Sequence, residues 1–138
     1  QVEVENKLAL GTSEATVVAE KINITTLMAL GDITSGEKIF KKCAACHSIN
    51  KGGKNKIGPK LYNVVGRVVG GVDDYKYSKA LASYGKEWTF EELNGFLTKP
   101  SSYLKGTKMS YAGLRKEKDR ASVIKYLNQN SDNPKLLP

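Results

Sequence analysis

Apolar side chains recur at helical spacing in three stretches of the chain. Ile39, Phe40 and Cys43 lie three and four apart, which places them on one face of a helix predicted over 32–47. Thr34 with Glu37 reads as a capping box at its start. A second box, Thr89 with Glu92, opens a helix predicted over 90–98. That helix must stop near Lys99, because Pro100 disfavours helical backbone in the residue before it. Ala121, Ile124 and Leu127 form the buried stripe of a last helix, predicted from Glu117 to Asn130, with Glu117 and Asp119 suited to its positive end. A second helical turn is expected to begin at Ser78. Residues 48–76 hold six glycines and Pro59 and read as loop. Residues 100–115 read as loop with a turn at Ser101–Tyr103. Residues 32–138 show no internal repeat and no strand pair.

The segment 1–31 is different. Val17, Val18, Ile22, Ile24, Leu27, Met28 and Leu30 suit a short strand or an amphipathic helix equally, and the period does not decide. Asn23-Ile24-Thr25 fits the glycosylation sequon, a pattern short enough to arise by chance. Residues 1–31 are therefore read as an extension or linker to an upstream membrane anchor, and 32–138 as the domain. No run of about 18 apolar residues is present, so no membrane span is expected within the chain.

Charge sharpens this division. The formal net charge is +8, but residues 1–37 carry −4 and residues 38–138 carry +12. A basic domain behind an acidic segment expects an anionic partner. Nucleic acid is set aside: no binding motif is present, and one Trp with three Phe makes a poor stacking surface. An acidic protein surface remains. Lys41, Lys42, Lys51, Lys54, Lys56, Lys60, Lys105 and Lys108 cluster near the motifs described next; such a run is either a solvated face or a docking surface.

The chemistry sits at residues 43–47, CAACH. Cys43 and Cys46 are the only cysteines and His47 the only histidine. Two thiols three residues apart fall on one side of a helical turn. There they can become thioethers on the two vinyl groups of a haem, and the adjacent imidazole is carried to the iron. The competing readings are weaker. A redox dithiol lacks the surrounding βαβ pattern. A closed zinc site needs four ligands, and three are available. A disulfide closing so tight a loop gains little entropy. A haem with one axial His stays open or takes a second protein ligand. Two methionines exist. Met28 lies in the extension, and Met109 lies far downstream of His47 in the run KGTKMSYAG. On the residues alone, Met109 is as well read as an exposed or core-filling side chain.

CAACH, then GPKLYNVVGR at 58–67, then Trp88, then GTKMSYAG at 106–113, in this order and spacing, resembles class I cytochrome c, closest to its mitochondrial and alphaproteobacterial branch. The resemblance covers about residues 31–130. It implies the small all-α cytochrome c fold wrapped around one covalent haem c, with the first and last helices crossing so that Gly36 and Phe40 meet Tyr126. It implies Met109 as the distal ligand opposite His47, and Pro59 as the carbonyl that accepts the free imidazole N–H. By the same resemblance Arg67, Tyr77, Ser78 and Trp88 hold the haem's acid groups, since a buried carboxylate is costly without partners. Thr107 and Lys108 flank the methionine. Two positions depart from the family pattern: Leu81 stands where an Asn is usual and Phe96 where a Tyr is usual, both beside the distal ligand.

The function so implied is electron transfer, not enzymatic catalysis: a respiratory carrier between a quinol–cytochrome c oxidoreductase and a terminal cytochrome c oxidase. It is expected to dock on the acidic surfaces of those membrane complexes as a monomer, in the periplasm, tethered to the cytoplasmic membrane if an anchor precedes it. The alternatives are a haem protein with an open distal site, acting as sensor or weak peroxidase, and a haem-free dithiol protein.

Overall fold

The structure is a computed structural model that describes residues 24–138. Among these, six helices follow in order: α1 Ile24–Ala29, α2 Ile33–Phe40, α3 Lys79–Ala82, α4 Phe90–Thr98, α5 Pro100–Tyr103 and α6 Glu117–Gln129. No strand is present among the described residues. Extended backbone meets only in an isolated antiparallel bridge, Val68 with Glu87. The all-α class is as the sequence implied. Val17, Val18, Ile22 and Asn23 of the sequon lie outside the described residues.

The start of α2 is not closed by the expected capping box. Asp32, not Thr34, is the N-cap: its carboxylate accepts the Ser35 N–H at 2.9 Å and the Ser35 hydroxyl at 3.0 Å. A carboxylate at this position satisfies an orphan donor and faces the positive end of the helix. The helix also ends earlier than residue 47. After Phe40 the chain tightens into successive turns that carry CAACH, with the His47 N–H donating to the Cys43 carbonyl at 2.9 Å. At α4 the Thr89 hydroxyl accepts the Glu92 N–H at 3.1 Å, so half of the expected box is made. The Glu92 carboxylate turns instead to the hydroxyls of Tyr84 and Tyr103, at 2.6 and 2.8 Å. The turn expected at Ser101–Tyr103 forms as the short helix α5, which Pro100 starts, since its missing N–H is no loss at a first helical position. The turn expected at Ser78 forms as α3, capped by the Ser78 hydroxyl.

α2 and α6 pack directly on one another. The approach is close because residue 36 is glycine: a Cβ there would collide with the Ser122 carbonyl and lie 2.9 Å from the Tyr126 Cβ. The Phe40 and Tyr126 rings meet at 5.6 Å, tilted by 50°. Asp32 N–H donates to the Ser122 hydroxyl at 3.0 Å, and the Lys125 ammonium donates to the Gly31 carbonyl at 3.1 Å. α1 also packs on α6, and Leu27 and Met28 belong to the core. The chain is thus packed with the domain from residue 24 onward among the described residues. Met28 is 1% exposed, a core side chain rather than part of a loose linker.

The rest of the core comes from Phe40, Val64, Val65, Val69, Trp88, Leu93, Phe96, Leu97, Leu104, Leu114, Ala121, Val123, Ile124 and Leu127. Much of it does not close on itself. Several of these side chains, from α2, α4, α6 and the loops, line a cavity of about 370 Å³.

Candidate functional site: an apolar cavity walled by CAACH and the Met109 loop

Cys43, Cys46, His47, Pro59, Arg67, Tyr77, Ser78, Trp88, Thr107 and Met109 all line this one cavity. They come from segments widely separated in sequence, between Cys43 and Met109. Leu81 and Phe96, the two departures from the family pattern, line it as well, and Lys42 and Lys108 stand among its lining residues. Met28 is not among them.

Local backbone explains how each is placed. Cys46 N–H donates to the Cys43 carbonyl at 3.0 Å, so the two thiols share one turn. Both are free. Burial pushes the Cys43 thiol upward, with Cys46 adding to the shift and Lys42 opposing it. The loop at 58–61 closes over the histidine. Gly58 N–H donates to the Cys46 carbonyl at 2.7 Å, and Leu61 N–H to the Ser48 carbonyl at 2.9 Å. A Cβ at Gly58 would collide with the imidazole, so only glycine fits against that ring. The His47 Nδ1 lies 2.7 Å from the Pro59 carbonyl. A carbonyl only accepts, so Nδ1 carries the proton and donates. Nε2 is left with its lone pair, as a metal ligand needs. Burial holds the imidazole below its ordinary pKa, against the opposing Pro59 bond, so it stays neutral.

Arg67 and Trp88 are held by paired backbone bonds. Trp88 N–H donates to the Arg67 carbonyl and Gly66 N–H to the Trp88 carbonyl, both at 2.8 Å. The Trp88 ring is buried against Phe96 at 5.1 Å. Tyr77's hydroxyl accepts the Val72 N–H at 3.1 Å, and Ser78's hydroxyl accepts the Leu81 N–H at 3.3 Å. Each therefore keeps its own proton to donate. The Arg67 Nε is buried with no partner. Burial lowers the pKa of this guanidinium, which nonetheless stays a cation. Three donors and a buried positive charge without an acid suit a ligand that brings carboxylates.

The Met109 loop is built by short-range bonds. Thr107 N–H donates to the Leu104 carbonyl at 3.0 Å, and Met109 N–H to the Thr107 hydroxyl at 3.2 Å. The Lys108 ammonium donates to the Lys76 carbonyl at 2.7 Å, tying this loop to the segment that carries Tyr75 and Tyr77. The loop's far end is anchored by a residue that no sequence motif marks. Arg120 on α6 is 7% exposed; it donates to the Leu114 and Arg115 carbonyls at 2.8 Å each and to the Asn94 side chain at 2.7 Å. An arginine one position before the apolar stripe of a helix gave no sign that it was buried.

The residues present fit a covalent haem. The cavity is largely apolar, two free thiols share a turn on its wall, a neutral imidazole has one nitrogen free, and a guanidinium has its buried Nε without a partner. Among the described residues no group of three or more His, Cys, Asp or Glu could hold a bare metal ion. Fold and site together define a small helical c-type haem protein. The family model for cytochrome c matches residues 33–131, and the chain belongs to the cytochrome c family.

A cytochrome c homolog of Rickettsia typhi is 46% identical over 119 residues, 86% of this chain and 68% of the relative. A cytochrome c homolog of Bradyrhizobium diazoefficiens is 38% identical over 139 residues, all of this chain and 76% of the relative. The chain spans only 61 to 65% of two further rickettsial homologs. Among solved structures, cytochrome cH from Methylobacterium extorquens superposes with a TM-score of 0.68 at 39% identity, covering 72% of this chain and 99% of that one. The cofactor is accordingly haem c, attached through Cys43 and Cys46, and the protein carries electrons.

Proposed function

We propose that the protein is a respiratory electron carrier whose haem iron is held by His47 and Met109. It would take electrons from a quinol–cytochrome c oxidoreductase and pass them to a terminal cytochrome c oxidase. One observation carries the ligand assignment: a neutral imidazole whose Nδ1 donates to Pro59, and a methionine from a distant loop, line the same apolar cavity.

When bound, the haem supplies a one-electron couple between ferrous and ferric iron. The chain's own residues set its conditions. His47 presents Nε2 in a fixed orientation, because Pro59 holds the other nitrogen. Met109 brings a thioether, a ligand that raises the potential. Arg67, Tyr77, Ser78 and Trp88 are assigned to the haem's acid groups, which Arg67 Nε and the two hydroxyl protons would partner. The apolar lining limits water, which tunes the potential further.

The lysines support docking on acidic membrane complexes. Lys41, Lys42, Lys51, Lys54, Lys56, Lys105 and Lys108 are exposed and Lys60 half-buried. Lys51 is partly spent on Asp132, at 3.0 Å. The carrier is read as monomeric and periplasmic. No helix among the described residues is long and apolar enough to cross a membrane.

The ligand assignment is tested by Met109→Ala. Carbon monoxide should then bind the ferrous protein at once, and the potential should fall. Met28→Ala should leave both unchanged while costing about 2–5 kcal/mol of stability, as core methionine truncations do. The reverse pattern would reassign the ligand.

A further inference from the structure

Beyond α6 the chain folds back onto the turn that carries Arg67. Asn63 stands at the centre of that turn with φ of 66°, in the left-handed region. Its N–H donates to the Asn130 carbonyl at 3.1 Å. Asp132 N–H donates to the Asn63 side-chain oxygen at 2.8 Å, and the Asn63 side-chain amide donates back to the Asp132 carboxylate at 3.2 Å. The same carboxylate accepts the Tyr62 hydroxyl at 3.0 Å and pairs with the Lys51 ammonium at 3.0 Å. Further along, Asn128 and Lys135 exchange two hydrogen bonds of 2.9 Å, which hold the segment down.

On the inner side of the turn, Arg67 Nη1 reaches the Tyr62 carbonyl at 3.5 Å. Tyr62 is therefore gripped from outside by Asp132 and contacted from inside by Arg67. The family match ends at residue 131, so Asp132 lies just beyond it.

We propose that Asp132 is a positioning residue for Arg67: by fixing Tyr62 and Asn63 it sets the Tyr62 carbonyl that orients the guanidinium in the haem cavity. The proposal rests on the reading that Arg67 partners an acid group of the haem.

The sign of the effect separates positioning from simple charge. A cation held beside the haem disfavours the more positive ferric form. Loosening Arg67 should therefore shift the couple toward ferric. Removing the negative charge of Asp132 would by itself do the opposite, since an anion favours ferric. The test is spectroelectrochemical titration of the full-length holoprotein, with thermal unfolding followed in parallel to show that each variant is folded. Asp132→Ala should move the ferrous/ferric equilibrium about threefold toward ferric, the scale of a weakened hydrogen bond to a charged group. Asp132→Asn keeps an acceptor for the Tyr62 hydroxyl and should recover part of that shift.

Arg67→Gln, which removes the cation, supplies the reference. It should also shift the couple toward ferric, and adding Asp132→Ala to it should produce no further shift in that direction. If Arg67→Gln moves the equilibrium and Asp132→Ala leaves it unchanged or shifts it toward ferrous, the positioning role is wrong and the Arg67 reading stands. An equal shift in Asp132→Ala and Asp132→Asn also overturns positioning. If Arg67→Gln itself has no effect, the underlying assignment of Arg67 fails.

Discussion

Glycine 58 shows how much of this site depends on a side chain that is missing. The imidazole of His47 lies against its backbone, where any Cβ would collide. Gly58→Ala must displace either the ring or the loop, and the loop is held to Cys46 and Ser48 by backbone bonds. The ring should yield. Its bond to Pro59 would then lengthen, and Nε2 would lose its fixed direction. The expected cost is about 1–3 kcal/mol, typical of overpacking at a tight site. Thermal unfolding of the holoprotein should register it, together with a shifted Soret band. An unperturbed spectrum with unchanged stability would mean that the loop relaxes freely. Residue identity was readable here because CAACH and the glycine-proline pair are short-range patterns. Arg120 and Asp132 were not, because partners such as Asn94, Tyr62 and Asn63 are remote in sequence and no local motif announces them.

The helices follow from local signals where those signals stand alone. Thr89 and Pro100 bracket α4, and its bounds match the prediction. α6 ends one residue before the prediction, and Asn130 serves as its C-cap. Two cues misled where several competed. Asp32 outranked Thr34 as a cap because it stands first and is charged. Residues 24–29 look like linker in composition, yet α6 offers an apolar face that buries Leu27 and Met28. Tertiary burial decided what the period left open. The crossing of α2 and α6 is the element-level feature with the sharpest test. Gly36→Ala places a methyl group against the Ser122 carbonyl, a backbone group of α6 that cannot swing aside as the end of a flexible side chain can. The variant should lose about 2–4 kcal/mol in denaturant unfolding of the holoprotein. A loss below about 0.5 kcal/mol, the range of ordinary surface changes, would mean that the helices separate easily.

At the scale of the whole molecule, the asymmetry of charge predicts kinetics. Residues 38–138 carry +12, and most of the lysines named above are exposed. Steered encounters depend on fields that are screened within a Debye length of about 8 Å at physiological ionic strength. Association with membranes holding a cytochrome c oxidase should be fast at low salt and slow steeply as salt rises. Rates flat across that range would show that the lysines only solvate the surface. A more direct expectation concerns the proposed site, one covalent haem c whose iron His47 and Met109 would hold. It is tested by the absorption spectrum of the purified holoprotein, oxidised and then reduced. A sharp α-band is expected on reduction and, when oxidised, a weak band near the red edge that Met109→Ala abolishes. High-spin features in the wild-type protein would mean an open distal site. A protein with no Soret band would carry no haem at Cys43 and Cys46, and the site would not be a haem site at all.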